Sequence, residues 1–110
     1  MESLVLWDGR YIGRLKKVPK TMLIIDRYGT ISEKEKKGIK DSVMEVDIDF
    51  EEKTTHYSLV ILCNTALRFN LINPLTLAEC EIWFTRRVFS SRVFADALTH
   101  YSECEIRNGV

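Results

Sequence analysis

The sequence predicts an α+β domain, a predominantly antiparallel β-sheet or sandwich with one principal C-terminal helix. Three observations carry that expectation. Asp8-Gly9 stands between Leu4–Trp7 and Arg10–Ile12, and Asp-Gly suits a type I′ hairpin turn, which needs positive φ at both central residues. Met44, Val46, Ile48 and Phe50 alternate with Glu45, Asp47 and Asp49, the period of a strand with one buried face. Val93, Phe94, Ala97, Leu98 and Tyr101 recur at helical spacing behind Ser90 and Ser91, either of which can cap the helix.

The remaining elements follow in order. Gly13 and Pro19 bound a basic connector, Arg14–Lys20. Thr21–Asp26 is an Ile-rich run too short for a helix and reads as a buried strand. Tyr28-Gly29-Thr30 is a turn. Ser32 and Glu35 have the spacing of a capping box, but Glu33–Lys40 has almost no apolar face and contains Gly38. One or two exposed helical turns, or a loop, are expected there. Val43–Phe50 is a strand, and Tyr57–Cys63 a central strand buried on both faces. Leu67–Ile72 reads as another strand ended by Asn73-Pro74. Leu75–Thr85 is expected to be extended, with a helix as its rival because Leu, Ala and Glu favour one. The tail Cys104–Val110 could return as an edge strand. No repeat, linker or low-complexity segment interrupts the 110 residues, so residues 1–110 are read as a single domain.

Composition narrows the class. With 45% apolar residues the chain can build a core without staples. Its longest apolar stretch, Leu59–Cys63, is far short of a membrane span. Met1-Glu2-Ser3 does not begin a signal peptide or a myristoylation site. Cys63, Cys80 and Cys104 are an odd number, and all three are read as reduced thiols in a cytoplasmic or nuclear compartment.

The formal charge is zero but sorted along the chain. Residues 1–40 carry a net +5, residues 41–85 a net −6 and residues 86–110 a net +1. Sorted charge gives the folded molecule opposed surfaces if the fold keeps those blocks apart. The cationic candidates are Arg14, Lys16, Lys17 and Lys20, then Lys34, Lys36, Lys37 and Lys40. Lipid phosphates or RNA would take such a face. Arg86, Arg87 and Arg92, interleaved with Phe89 and Phe94, form a further RNA-binding candidate; the two rings read first as core residues, with stacking on bases as the alternative. Glu45, Asp47 and Asp49 line one face of a strand and suit docking to a basic partner or to another copy of the chain.

Catalytic and metal chemistry find little support. Gly-x-Ser-x-Gly is missing, the glycines are scattered, and no cysteine-protease signature surrounds Cys80 or His100. His100-x3-Cys104 has helix-face spacing, with His56 and Cys80 as further candidates. A structural zinc site usually shows paired ligands twice, so no metal, cofactor or enzymatic activity is assigned.

Thr21–Asp26, Met44–Phe50, His56–Val60, Leu67–Ile72 and Ile106–Val110 succeed one another in an order that resembles the small matrix proteins of bornavirus-like negative-strand RNA viruses. The resemblance implies a β-rich fold, homo-oligomers, and binding to the inner membrane leaflet and single-stranded RNA. Only Pro19 and Pro74 are present, so Pro-rich late-budding motifs are missing. The expected function is a non-enzymatic, matrix-type assembly protein of the virion that binds itself, an anionic membrane and RNA or nucleocapsid. It would lie in the cytoplasm or nucleus of a host cell, neither secreted nor membrane-spanning. An RNA-binding module and a host-targeting interaction domain are the alternatives.

Overall fold

The computed structural model describes residues 3–7, 10–43, 45–48, 57–66 and 80–104, with backbone alone before residue 15. Strands β1 (Ser3–Trp7) and β2 (Arg10–Leu15) pair antiparallel, as the flanks of Asp8-Gly9 predict. The turn itself lies outside the described residues. The register slips between Val5 and Leu6, so Val5 faces Gly13 while Leu6 faces Tyr11, and a bulge takes up the extra residue. β2 runs on to Leu15, into what the sequence suggested was a connector.

β3 (Thr21–Asp26), β4 (Glu45–Ile48), β5 (Leu59–Cys63) and β6 (Glu81–Thr85) form a separate sheet in the order β4-β3-β5-β6. Every pairing in it is parallel. Helix α1 (Glu33–Ser42) connects β3 to β4, and α2 (Ser91–Glu103) follows β6. The fold is therefore α/β, not the antiparallel α+β sheet or sandwich with one helix that the sequence suggested.

The physical reason lies in the connections. Antiparallel neighbours can be joined by a tight turn, whereas parallel ones need a crossover of a dozen or more residues. The stretches from Asp26 to Glu45 and from Cys63 to Glu81 are both that long. The crossover helix was hidden by its polar sequence. A helix lying on a sheet needs only a narrow apolar contact, and Ile39, fully buried between Ile31 and Val43, supplies it. The Ser32 and Glu35 capping box starts the helix as expected. Met22–Ile25 and Leu59–Cys63 are continuous apolar runs because parallel strands are covered on both faces.

Met22, Ile24, Leu59, Ile61 and Cys63 face both helices, where Val93, Phe94, Ala97 and Leu98 of α2 meet them. Leu23, Ile25, Val60 and Leu62 fill the opposite face with Tyr57. Each such fully buried side chain contributes roughly 1.5–3 kcal/mol. Hairpin β1–β2 lies beside the helices, β1 near α1 and β2 near α2. The Ser102 hydroxyl accepts the backbone N–H of Lys16 at 2.6 Å and so ties the segment after β2 to α2. The expected strand at Leu67–Ile72, the first part of Leu75–Thr85 and the tail after Cys104 lie outside the described residues.

Candidate functional site

Ligands of open α/β sheets bind beyond the carboxyl ends of the strands, where the strand order reverses. Here β4 lies on one side of β3 and β5 on the other, so the reversal falls between β3 and β5. Three loops meet along this edge: residues 27–32 after β3, 64–66 after β5 and 86–90 after β6.

The β3–α1 loop is built around Asp26. One carboxylate oxygen accepts the Tyr28 N–H at 3.1 Å. The other accepts the Thr30 N–H at 2.6 Å, the Thr30 hydroxyl at 3.2 Å and the Ile31 N–H at 3.0 Å. Gly29 turns the loop with φ +64°, a conformation that L side chains rarely adopt. Backbone bonds stitch the edge together, from the Arg27 N–H to the Cys63 carbonyl and from the Asn64 N–H to the Thr85 carbonyl. The Tyr28 hydroxyl donates to the Arg86 carbonyl across the same gap.

Four arginines stand along this edge. Arg27, Arg86, Arg87 and Arg92 are all exposed. Arg87 reaches Asp96 at 3.0 Å and lies over the Trp83 ring at 5.8 Å. Arg92 reaches the same carboxylate at 3.4 Å. Ser90 caps α2, whose first turn holds no acid. By contrast, Glu33 and Glu35 occupy the first turn of α1. Cations beside a helix N-terminus oppose its dipole, so α2 presents an electropositive corner that Asp96 only partly offsets.

Beneath the arginines, Asp26, Cys63 and Thr85 sit in one row across β3, β5 and β6. Burial pushes the Cys63 thiol up to about 12; the Asp26 charge adds to this and Arg87 opposes it. That thiol is an inert core group, not a nucleophile. Phe89 and Phe94 are also core: both are buried, with ring centroids 6.1 Å apart. The core is where the sequence favoured placing both rings, so this edge offers guanidinium groups without the alternative of base stacking on those two residues.

The other predicted groups scatter. Lys16, Lys17 and Lys20 precede β3 at the amino edge of the sheet. Lys17 donates to the Cys104 carbonyl and covers the Tyr101 ring. Lys34, Lys37 and Lys40 are exposed at three-residue spacing along one side of α1, while Lys36 is half-buried and pairs with Glu33 at 3.4 Å. Arg14 lies in β2. Glu45 is exposed, but Asp47 is half-buried and accepts the Tyr57 hydroxyl, which leaves it less of a docking charge than strand alternation implied. Asp49 and His56 lie outside the described residues. His100 and Cys104 do come together, whereas Cys80 packs with the opposite face of the sheet. The sequence reading missed Arg27 because it lies alone between a strand and a turn, and only the shared edge puts it in the loop that Tyr28 ties to Arg86.

No described helix is long and apolar enough to cross a membrane. No curated protein and no solved structure gives a significant match to the chain. Residues 17–109 do match one protein family, and the match begins just after β2, so it spans the parallel sheet and both helices and omits the hairpin. The chain belongs to that family, a domain of unknown function designated DUF5099.

Proposed function

We propose that this domain is a non-enzymatic RNA-binding module that holds the phosphate backbone of a single strand on the carboxyl edge of its parallel sheet. The observation that supports this reading is the gathering of Arg27, Arg86, Arg87 and Arg92 at the edge where α/β sheets take ligands. Guanidinium groups match phosphate with two parallel hydrogen bonds. Asp96 does not block them. Surface ion pairs are worth about 0–1 kcal/mol, so a phosphate can displace the carboxylate. With Phe89 and Phe94 in the core, the binding is to backbone phosphate and insensitive to base sequence.

Four phosphate contacts on a single strand give a log–log salt slope of about −3, or roughly a 50-fold loss of affinity between 50 and 200 mM salt. Binding of a fluorescent oligoribonucleotide at those two concentrations tests this. The double variant Arg27→Glu/Arg86→Glu should reduce affinity at least about tenfold and flatten the slope. Unchanged binding in that variant overturns the assignment.

A matrix-type role on an anionic membrane is the second reading, favoured by the exposed stripe Lys34, Lys37 and Lys40. Lysines near an acidic bilayer contribute about 1 kcal/mol each. Flotation with acidic and with neutral vesicles separates the two readings: the membrane role requires binding to acidic vesicles that is lost in Lys34→Glu/Lys37→Glu. Self-association through Glu45, Asp47 and Asp49 belongs to this reading, and light scattering at low and high salt tests it.

A further inference from the structure

The opposite edge of the sheet carries a different chemistry. β6 runs toward the arginine edge, the loop after it reverses the chain, and α2 returns along the sheet. Five strand residues span about 17 Å and thirteen helical residues about 20 Å, so the end of α2 comes back to the start of β6. Glu81 is the first residue of β6, His100 lies in the last turn of α2, and Cys104 is its C-cap. His100 and Cys104 are four apart and share one side of the helix. One ligand atom from each of Glu81, His100 and Cys104 lies within 4.8 Å of the others, and the Cys104 sulfur is 3.3 Å from His100 Nε2.

We infer that Glu81, His100 and Cys104 are the protein ligands of a zinc ion. The contact between Cys104 and His100 alone would be an ordinary hydrogen bond. The convergence of a carboxylate on the same point is what calls for a cation. Tetrahedral zinc, with bonds of about 2.0–2.3 Å, holds its ligand atoms about 3.3–3.6 Å apart, close to the sulfur–nitrogen separation here. Thiolate, imidazole and carboxylate together suit zinc better than calcium or magnesium, which take oxygen ligands. The thiolate and the carboxylate neutralise the divalent charge. The carboxyl end of α2 adds the negative end of a helix dipole.

The turn that bears two of the ligands is held by main-chain bonds and by Lys17, none of which uses a ligand atom. The Cys104 N–H bonds the carbonyls of His100 and Tyr101, and Lys17 holds the Cys104 carbonyl. Lys17 also lies 4.7 Å from the centre of the Tyr101 ring. Three ligands from one chain leave a fourth position for water or for a group from another molecule. All three residues lie within the family match, and none is among the arginines of the proposed RNA edge, so the two proposals stand or fall separately.

The test uses the full chain, stripped with a chelator and then titrated with zinc alone and with cobalt alone. One equivalent of zinc should bind and raise the melting temperature. Cobalt should produce the thiolate charge-transfer band and the intense visible bands of a tetrahedral site. Cys104→Ser should abolish the charge-transfer band, and His100→Ala and Glu81→Gln should each weaken zinc at least about tenfold. Cys80→Ser and Cys63→Ser should keep both the band and the affinity. Circular dichroism identifies any variant that unfolds, and alkylation provides a measurement on the unaltered chain: zinc should slow modification of Cys104. Undiminished zinc binding in folded His100→Ala, the absence of one-to-one binding, or alkylation of Cys104 at the same rate with and without zinc would each overturn the assignment.

Discussion

The Tyr28 hydroxyl donates a hydrogen bond to the main-chain carbonyl of Arg86, joining two loops 58 residues apart in the chain. Both loops leave the carboxyl edge of the sheet, one after β3 and the other after β6, and β5 runs between those strands. The bond spans the central strand and fixes the spacing of the loops that carry Arg27 and Arg86.

Tyr28→Phe should therefore act on binding and on folding to similar, small extents. Loss of one partly exposed hydrogen bond costs about 1 kcal/mol, because water can replace the phenol at the Arg86 carbonyl. RNA affinity should fall a few-fold with no change in salt slope, since no charge is removed. Urea denaturation and the two-salt binding assay measure these effects together. A changed slope would mean that Tyr28 does more than position the loops.

Asp26 is the costly residue to lose on this edge. Its buried carboxylate accepts four hydrogen bonds from the loop that starts α1. Asp26→Ala leaves those donors without their acceptor and should destabilise the domain by about 3 kcal/mol or more. Asp26→Asn retains one acceptor oxygen and should cost clearly less. Equal losses in denaturant titrations of the two variants would show that the charge and the second oxygen do not matter.

The two helix caps should be separable. Ser32 exchanges reciprocal hydrogen bonds with Glu35, and Ser90 accepts the Val93 N–H. Alanine at either position should cost about 1 kcal/mol. Ser32→Ala removes the hydroxyl that accepts the Glu35 N–H but keeps the backbone N–H that the Glu35 carboxylate accepts, so Glu35→Ala in that background should cost further stability, with only weak coupling between the two. A double-mutant cycle followed by urea denaturation reads this coupling directly.

Stability should fall on the alkaline side. Cys63 ionises near 9.0 in an ordinary setting and is pushed up to about 12 by burial, then by the Asp26 charge, against the pull of Arg87. Burial and the bond to Asp47 push the Tyr57 phenol well above its usual 10.0. Above pH 9 the unfolded chain releases protons that the native state keeps. Each such group then lowers stability by about 1.4 kcal/mol per pH unit until its folded value is passed. The Cys63 contribution is fully present below pH 9 and the Tyr57 contribution below pH 10, and each is lost as the pH rises further. Melting temperatures between pH 7 and 11 check this, and Cys63→Ala should shallow the decline from pH 9 upward.

Much of the fold was legible residue by residue. Local signals predicted β3, the buried β5, the cap and apolar face of α2, the Ser32 and Glu35 box and the strands of the hairpin, because each depends on side chains a few positions apart. The direction in which strands pair does not. Glu33–Lys40 looked like one or two exposed turns or a loop because its sequence is polar, and only the sheet beneath Ile39 makes Glu33–Ser42 a crossover helix. Once that crossover is in place, β4 can lie parallel to β3.

The sites divide in the same way. The pairing of His100 with Cys104 follows from helical periodicity, but Glu81 joins them only because α2 runs back along β6. Arg86, Arg87 and Arg92 are neighbours in the chain, whereas Arg27 reaches their edge through the parallel register of β3, β5 and β6. Side chains close together in the chain are enough to set which faces are apolar, where α2 is capped and how charge is apportioned. Tertiary structure alone decided that the strands run parallel, that the arginines share one edge, and that a carboxylate, an imidazole and a thiol meet at the other. Periodicity is a property of neighbours along the chain, whereas an edge of a sheet is assembled from residues that only the connections between strands bring together.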